Sequence, residues 1–229
     1  VKILPSGSVD LNGCFLSGNV KIKGSLNITG QCKNDEVNLS WFSDLETDPG
    51  KNHSQNAAII EKVISITKPV GSVIFNDIYP IDRTIPVNRT AHLKGTSPQY
   101  VYAVMYENAT CGVFTTELIS VFEIGAGGSL SLTNFSVIGW SELGSSSSNL
   151  FNYAQTVYFN MPENPYAAPI KNFNYSVTET LGTNGADTCG IKCIGNDRGI
   201  LTIKDSTING FVYCIYSDSS YIEDIQNSY

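Results

Sequence analysis

"GSVIFNDIYPIDRTIPVNRTAHLKG", residues Gly71–Gly95, is the stretch whose reading decides the fold. It holds three short apolar runs, Val73-Ile74-Phe75, Ile81 to Val87 and Ala91 to Leu93, with turn residues between them. No two runs are far enough apart for a helix to fit, so strand follows strand with only corners in between.

A longer-range repeat says what the chain does with its strands. Gly128-Ser-Leu-Ser-Leu-Thr-Asn-Phe-Ser-Val-Ile-Gly139 and Gly199-Ile-Leu-Thr-Ile-Lys-Asp-Ser-Thr-Ile-Asn-Gly210 share the pattern Gly-x-Leu-x-aliphatic-x-Asn/Asp-x-x-aliphatic-x-Gly. An Ile-Gly pair precedes each, at Ile124-Gly125 and Ile194-Gly195. A shorter echo sets Ile191-Lys-Cys193-Ile194 against Val212-Tyr-Cys214-Ile215, 21 residues later.

Each unit has a physical logic. Strand side chains alternate with period two, so Leu130 and Leu132 share one face. Asn134 or Asp205 then makes a corner, because these residues bond their own backbone and tolerate the left-handed region. Val137 or Ile208 points back to the same interior, and Gly takes the next corner. One unit cannot bury its inner face alone, so units stack in parallel register as a solenoid. The expected fold is all-β, with parallel strands stacked between successive circuits.

One helix interrupts this pattern. From about Ser54 to Thr67, Ile59, Ile60, Val63, Ile64 and Ile66 form an apolar stripe. Asn52 or Ser54 can cap its start, and Pro69 with Gly71 ends it. Exposed end strands of a stack need a lid, and this helix is broad enough to serve. Strands precede it at Val1 to Leu4, Val9 to Leu11, Val20 to Ile22 and Leu26 to Ile28, which places it between an N-terminal layer and the main circuits. The expected organisation is therefore an N-terminal strand layer over 1–50, a capping helix segment over 51–70 and stacked circuits over 71–229. At about 141–187 the pattern lapses into a long aromatic excursion. The chain stops mid-pattern at Tyr229, and we expect it to continue beyond.

Composition bounds the function. Among 229 residues, 41% are hydrophobic and 15% charged, so the chain is ordered rather than a disordered tail. A net charge of −7 argues against a nucleic-acid footprint, which needs clustered Lys and Arg. No apolar run approaches the roughly 18 residues of a membrane span, so membrane insertion is not expected. Six cysteines are too thinly spread for a disulfide scaffold, and none is spaced with His53 or His92 as a zinc site. No metal and no cofactor is expected. Cys193 and Cys214, one circuit apart, are read as an inward-facing apolar ladder, with a disulfide as the alternative. Gly125-Ala-Gly-Gly128 has no helix after it and reads as a corner rather than a phosphate cradle.

Asn56–Ser97 resembles the pectate-lyase-like right-handed parallel β-helix superfamily. That family has a short helix, then Gly-x-Val-x-Phe-x-x-Gly-x-Tyr, an Ile-x-x-x-Ile-x-Val stretch and x-Leu-x-Gly-x-Gly/Ser. Ala58-Ile59, Gly71, Val73, Phe75, Tyr79, Ile81, Ile85, Val87, Leu93, Gly95 and Ser97 stand in those places. Trp41-Phe42 is similar to the family's lead-in, whereas its acidic turn is degraded here to Asp48-Pro49-Gly50-Lys51-Asn52. The first 30 residues resemble the strand layer of tail spike and tail fibre proteins from phages of gut Bacteroides. The resemblance implies a right-handed parallel β-helix in a virion, assembled as a homotrimer with other tail proteins and directed at a host cell-surface polysaccharide. It equally covers secreted or cell-surface polysaccharide lyases and glycoside hydrolases, and non-enzymatic adhesins, since fold does not choose among them.

Sugar cleavage needs a placed carboxylate pair, or acidic ligands with a basic residue on one face. The candidates are Asp205, Asp218, Glu223 and Asp224, with Lys204 and Arg198 near them; the plainer reading makes Asp205 and Asp218 corners and Glu223-Asp224 a solvated strand face. No catalytic set is recognisable, so enzymatic activity stays open. Trp140, Tyr153, Tyr158, Tyr166 and Tyr175 are candidate sugar-stacking rings, with packing of the excursion as the competing role.

Overall fold

Seventeen short strands, one α-helix and one 3-10 turn make up the part of the chain that the computed structural model describes. That part is residues 2–3, 8–17, 21–23, 27–48, 51–97, 111–115, 119–139, 189–194, 200–209, 211, 213–217, 221–226 and 228. β1 (Lys2–Ile3), β2 (Val9–Asp10) and β3 (Ile28–Thr29) form a small N-terminal sheet, antiparallel between β1 and β2 and parallel between β2 and β3. β4 (Glu36–Asn38) leads through the 3-10 turn Leu39–Trp41 and a loop to α1 (Asn56–Ile66). The chain then runs through β5 (Ser72–Phe75), β6 (Ile78–Pro80), β7 (Ile85–Val87), β8 (Thr90–Gly95), β9 (Gly112–Thr115) and β10 (Phe122–Ile124). It continues with β11 (Ser129–Thr133), β12 (Ser136–Gly139), β13 (Cys189–Cys193), β14 (Ile200–Lys204), β15 (Thr207–Asn209), β16 (Tyr213–Ser217) and β17 (Tyr221–Gln226).

From β5 onward the strands visit three parallel sheets in strict rotation. The sheets are β17-β14-β11-β8-β5-β4, β15-β12-β9-β6 and β16-β13-β10-β7, each open with its own edge strands. Gly71–Gly95 is one circuit: β5, β6 and β7 follow one another, and β8 returns beside β5 with Ser72 opposite His92 and Val73 opposite Leu93. One detail departs from the sequence reading. Ile81 to Val87 is not a single run, because β6 ends at Pro80, a corner follows, and β7 begins at Ile85. Pro80 and Pro86 fit because β6 and β7 are edge strands, where a missing N–H interrupts no ladder.

The sequence repeat is the circuit repeat. Leu130 pairs with Leu201, Leu132 with Ile203 and Val137 with Ile208. Asn134 and Asp205 take the left-handed corner with φ of 52° and 49°. Gly128 opens its unit because a Cβ there would lie 1.9 Å from the Val87 carbonyl oxygen. The flanking echoes are displaced. Ile124 pairs with Cys193, one residue short of Ile194. Cys193 pairs with Ser217, so Cys193 and Cys214 do not stack. Cys214 is exposed, its thiol donates to the Ile208 carbonyl at 3.2 Å, and none of the six cysteines is in a disulfide. The ladder reading fails because the circuit here is 24 residues, from Ile191 to Ile215, rather than 21.

The core is a set of inward columns running across rungs. Val37, Val73, Leu93, Leu132, Ile203 and Ile225 form one continuous aliphatic column through the six-stranded sheet. Each fully buried member contributes about 1.5–3 kcal/mol. Phe135, just past the Asn134 corner, turns inward and meets Phe75 edge-on with centroids 4.7 Å apart, and Phe122 at 6.2 Å.

α1 packs against both β7 and β3, between the N-terminal layer and the stack, with Ile59, Ile60, Val63, Ile64 and Ile66 all buried. Asn52 caps the turn before the helix, accepting from Ser54 N at 3.1 Å, while Gln55 at the helix start makes no side-chain cap. Asn56, fully buried, donates to the carbonyls of Glu46 (2.6 Å) and Pro80 (2.8 Å) and accepts from Glu46 N (3.0 Å). At the other end Thr67 bonds Val63 O at 2.7 Å, and Arg89 donates to the carbonyls of Ser65 and Thr67. No described helix is long and apolar enough to cross a membrane.

Candidate functional site

Strand alternation that buries one column must expose the next. On the outer face of the six-stranded sheet, Glu36, Ser72, His92, Ser131, Thr202 and Asp224 stand in one column. Asn38, Ile74, Lys94, Thr133, Lys204 and Gln226 stand in the column beside it. Thr90, Ser129 and Ile200 begin a third. The face is thus dominated by hydroxyls, with two lysines and His92 among them and a carboxylate at each end of the first column.

Local contacts tie this face down near β4. Lys94 Nζ reaches Glu36 Oε1 at 3.2 Å, and Ile74, paired with Lys94, is 6% exposed despite its outward position. Both charges are solvated, so the pair adds little to stability. At the far end, Gln226 Nε2 donates to Asp224 Oδ2.

The structure separates the sequence candidates. Asp205 is the left-handed corner between β14 and β15 and stacks on Asn134, whose backbone N donates to Lys204 O at 3.1 Å. Asp224 lies on the open face, opposite Thr202. Glu223 lies in β17 where the pairing with β14 shifts register, between Ile222 and Asp224. Asp218, Arg198, Trp140, Tyr153, Tyr158, Tyr166 and Tyr175 lie outside the described residues. Glu36 and Asp224 share a column but stand five rungs apart, about 24 Å at strand spacing. Glycoside hydrolysis uses carboxyls about 5–9.5 Å apart, so these two do not form such a pair. Among the described residues no group of three or more His, Cys, Asp or Glu is placed to hold a metal ion.

His53 Nδ1 lies 2.9 Å from the Lys51 carbonyl in the loop before α1. His92 occupies the middle of the polar column, between Ser72 and Ser131. The signal that could have found the column was present: Ser129, Ser131 and Thr133 alternate with Leu130 and Leu132 inside the repeat itself. Such a face can hydrogen-bond a polyhydroxylated chain laid across the strands, with hydroxyls as donors and acceptors at about 4.8 Å intervals. No protein-family model, no curated protein and no solved structure matches this chain.

Proposed function

We propose that this chain is part of a right-handed parallel β-helix rod in a phage tail spike or tail fibre, with a structural and host-recognising role. The observation that carries the reading is the strict rotation of strands through three parallel sheets, with like side chains stacked in columns from β4 to β17. Rungs bonded to two neighbours make an elongated scaffold that resists bending and presents its outer columns at fixed spacing. The host partner in this reading is a cell-surface polysaccharide, bound or cleaved by the rod's surface. The homotrimer, the neighbouring tail proteins and the virion location rest on the resemblance of Asn56–Ser97.

Light scattering on the chain, followed by binding and cleavage assays on capsular polysaccharides, tests the proposal. A stable trimer that engages such a polysaccharide supports it, and cleavage makes the spike a depolymerase. A monomer that cleaves soluble polysaccharide replaces it with a secreted or cell-surface lyase or hydrolase. A monomer that binds without cleaving favours an adhesin, and one inert toward every glycan leaves only the rod.

A further inference from the structure

The N-terminal layer brings two cysteines side by side. Past the ends of β2 and β3 the pairing continues: Leu11 N donates to Thr29 O at 2.9 Å and Gly13 N to Gln31 O at 3.2 Å. The sense then reverses, with Lys33 N donating to Cys14 O at 2.7 Å. Asn34 closes the run, its side chain accepting from Leu16 N and donating to Leu16 O, both at 2.7 Å. Carried on, the β2–β3 register sets Gly13 opposite Cys32, and the Lys33–Cys14 bond shifts it by one residue, a bulge that brings Cys14 to face Cys32 as well. Adjacent strands lie about 4.8 Å apart, inside the roughly 4.4–6.8 Å Cα separation that a disulfide accepts.

The two thiols differ in access. Cys32 is 2% exposed, whereas Cys14 is half-buried. Burial pushes the Cys32 thiol above its ordinary range, and Cys14 is near enough for a charge on it to add to that rise. Cys32 is also fastened to the cap, since its N–H donates to the Ile66 carbonyl at the end of α1 at 2.9 Å. With its amide turned so that the oxygen faces the guanidinium, the neighbouring Gln31 accepts from Arg89, which itself holds the helix end.

We propose that Cys14 and Cys32 are a redox pair whose disulfide staples the outermost N-terminal layer to the segment on which α1 rests. The oxidant is a small disulfide such as oxidised glutathione. The accessible Cys14 thiolate attacks one of its sulfurs and expels one reduced thiol. The Cys32 thiolate then attacks the Cys14 sulfur and expels the second. The protein loses two protons and two electrons, and one small disulfide becomes two thiols.

The test is oxidation of the reduced chain by oxidised glutathione, read by intact mass, by peptide mapping without reduction and by thermal melting. The expected product has lost two hydrogens and yields a peptide joining Cys14 to Cys32. Its melting temperature rises by about 5 °C and returns on reduction. Cys14→Ser, at a partly exposed site, abolishes both the link and the shift, and Cys214→Ser leaves them unchanged. Persistent alkylation of both thiols after oxidation overturns the proposal. So does arrest as a Cys14 mixed disulfide, or a crosslink through other cysteines.

Discussion

Asp205 can be a catalytic carboxylate or a piece of backbone geometry, and its φ of 49°, matched by 52° at Asn134 one circuit earlier, argues for geometry. What the corner requires is a residue that tolerates the left-handed region, which Asn and Gly do and β-branched residues do not. Asp205→Asn and Asp205→Gly should leave stability within about 0.5 kcal/mol, while Asp205→Val should lose about 1–2 kcal/mol in urea unfolding. Equal losses for all three would put the carboxylate itself in charge. Tyr79 makes a different kind of residue-scale prediction. Its ring is 3% exposed and its hydroxyl donates to Asn76 Oδ1 at 3.1 Å. Burial first, then the charges of Asp77 and Cys111, raise its pKa well above the ordinary value of about 10. Below about pH 10 both folded and unfolded forms keep the proton, so the contribution is fully present. Above it the unfolded chain ionises first, and stability falls as pH rises toward the folded-state pKa. Tyr79→Phe should show a shallower loss between about pH 10 and 11.5 in denaturant melts; parallel curves would remove Tyr79 from the alkaline transition.

At the scale of elements, α1 shows why its sequence was easier to read than its anchoring. The stripe of Ile59, Ile60, Val63, Ile64 and Ile66 announced the helix and its buried face directly. Asn56 and Arg89 gave no such signal, because their partners are carbonyls supplied by tertiary proximity: Glu46 and Pro80 for one, Ser65 and Thr67 for the other. Removing the Asn56 side chain strands three backbone groups, at about 1 kcal/mol each. Asn56→Ala should therefore lose about 3 kcal/mol, and Asn56→Asp nearly as much, since a carboxylate cannot donate to the two carbonyls. A loss below about 1 kcal/mol in equilibrium unfolding would show that water replaces those bonds. The same limit explains the misplaced cysteine echo. Residue types at 21-residue spacing suggested stacking, but register is set by backbone pairing along the whole of β13 and β16, which spaces Ile191 and Ile215 by 24. The repeat containing Leu130 and Leu201 was legible because pattern and register coincide there. The outer polar face was half legible, since alternation marks its members but only pairing aligns His92, Ser131 and Thr202.

At the scale of the molecule, the pairing order makes stability a matter of neighbours. β8 and β11 have strands on both sides within the six-stranded sheet, and β10 and β12 likewise in theirs. Among the described residues, β15, β16 and β17 are edge strands, each paired on one side only. The consequence is already visible in the core column, where Leu132 is fully covered and Ile225, at the last rung, is 48% exposed. At the opposite end α1 covers β7, and β4 continues the six-stranded sheet, so the two ends are not equivalent. If each rung is held mainly by its neighbours, opening should start at the uncovered end and cost more with each rung inward. Amide hydrogen exchange on the folded chain should then be slowest in β8 and β11, faster in β14, and fastest in β17, with β7 protected beyond what an edge position allows because α1 covers it. Ile60→Ala in α1 should speed exchange in β7 and β5 while leaving β17 unchanged, because the perturbation decays across rungs. Uniform acceleration across all three sheets would instead mean that the stack opens as one cooperative unit, and that the cap sets the stability of the whole rather than of its own end.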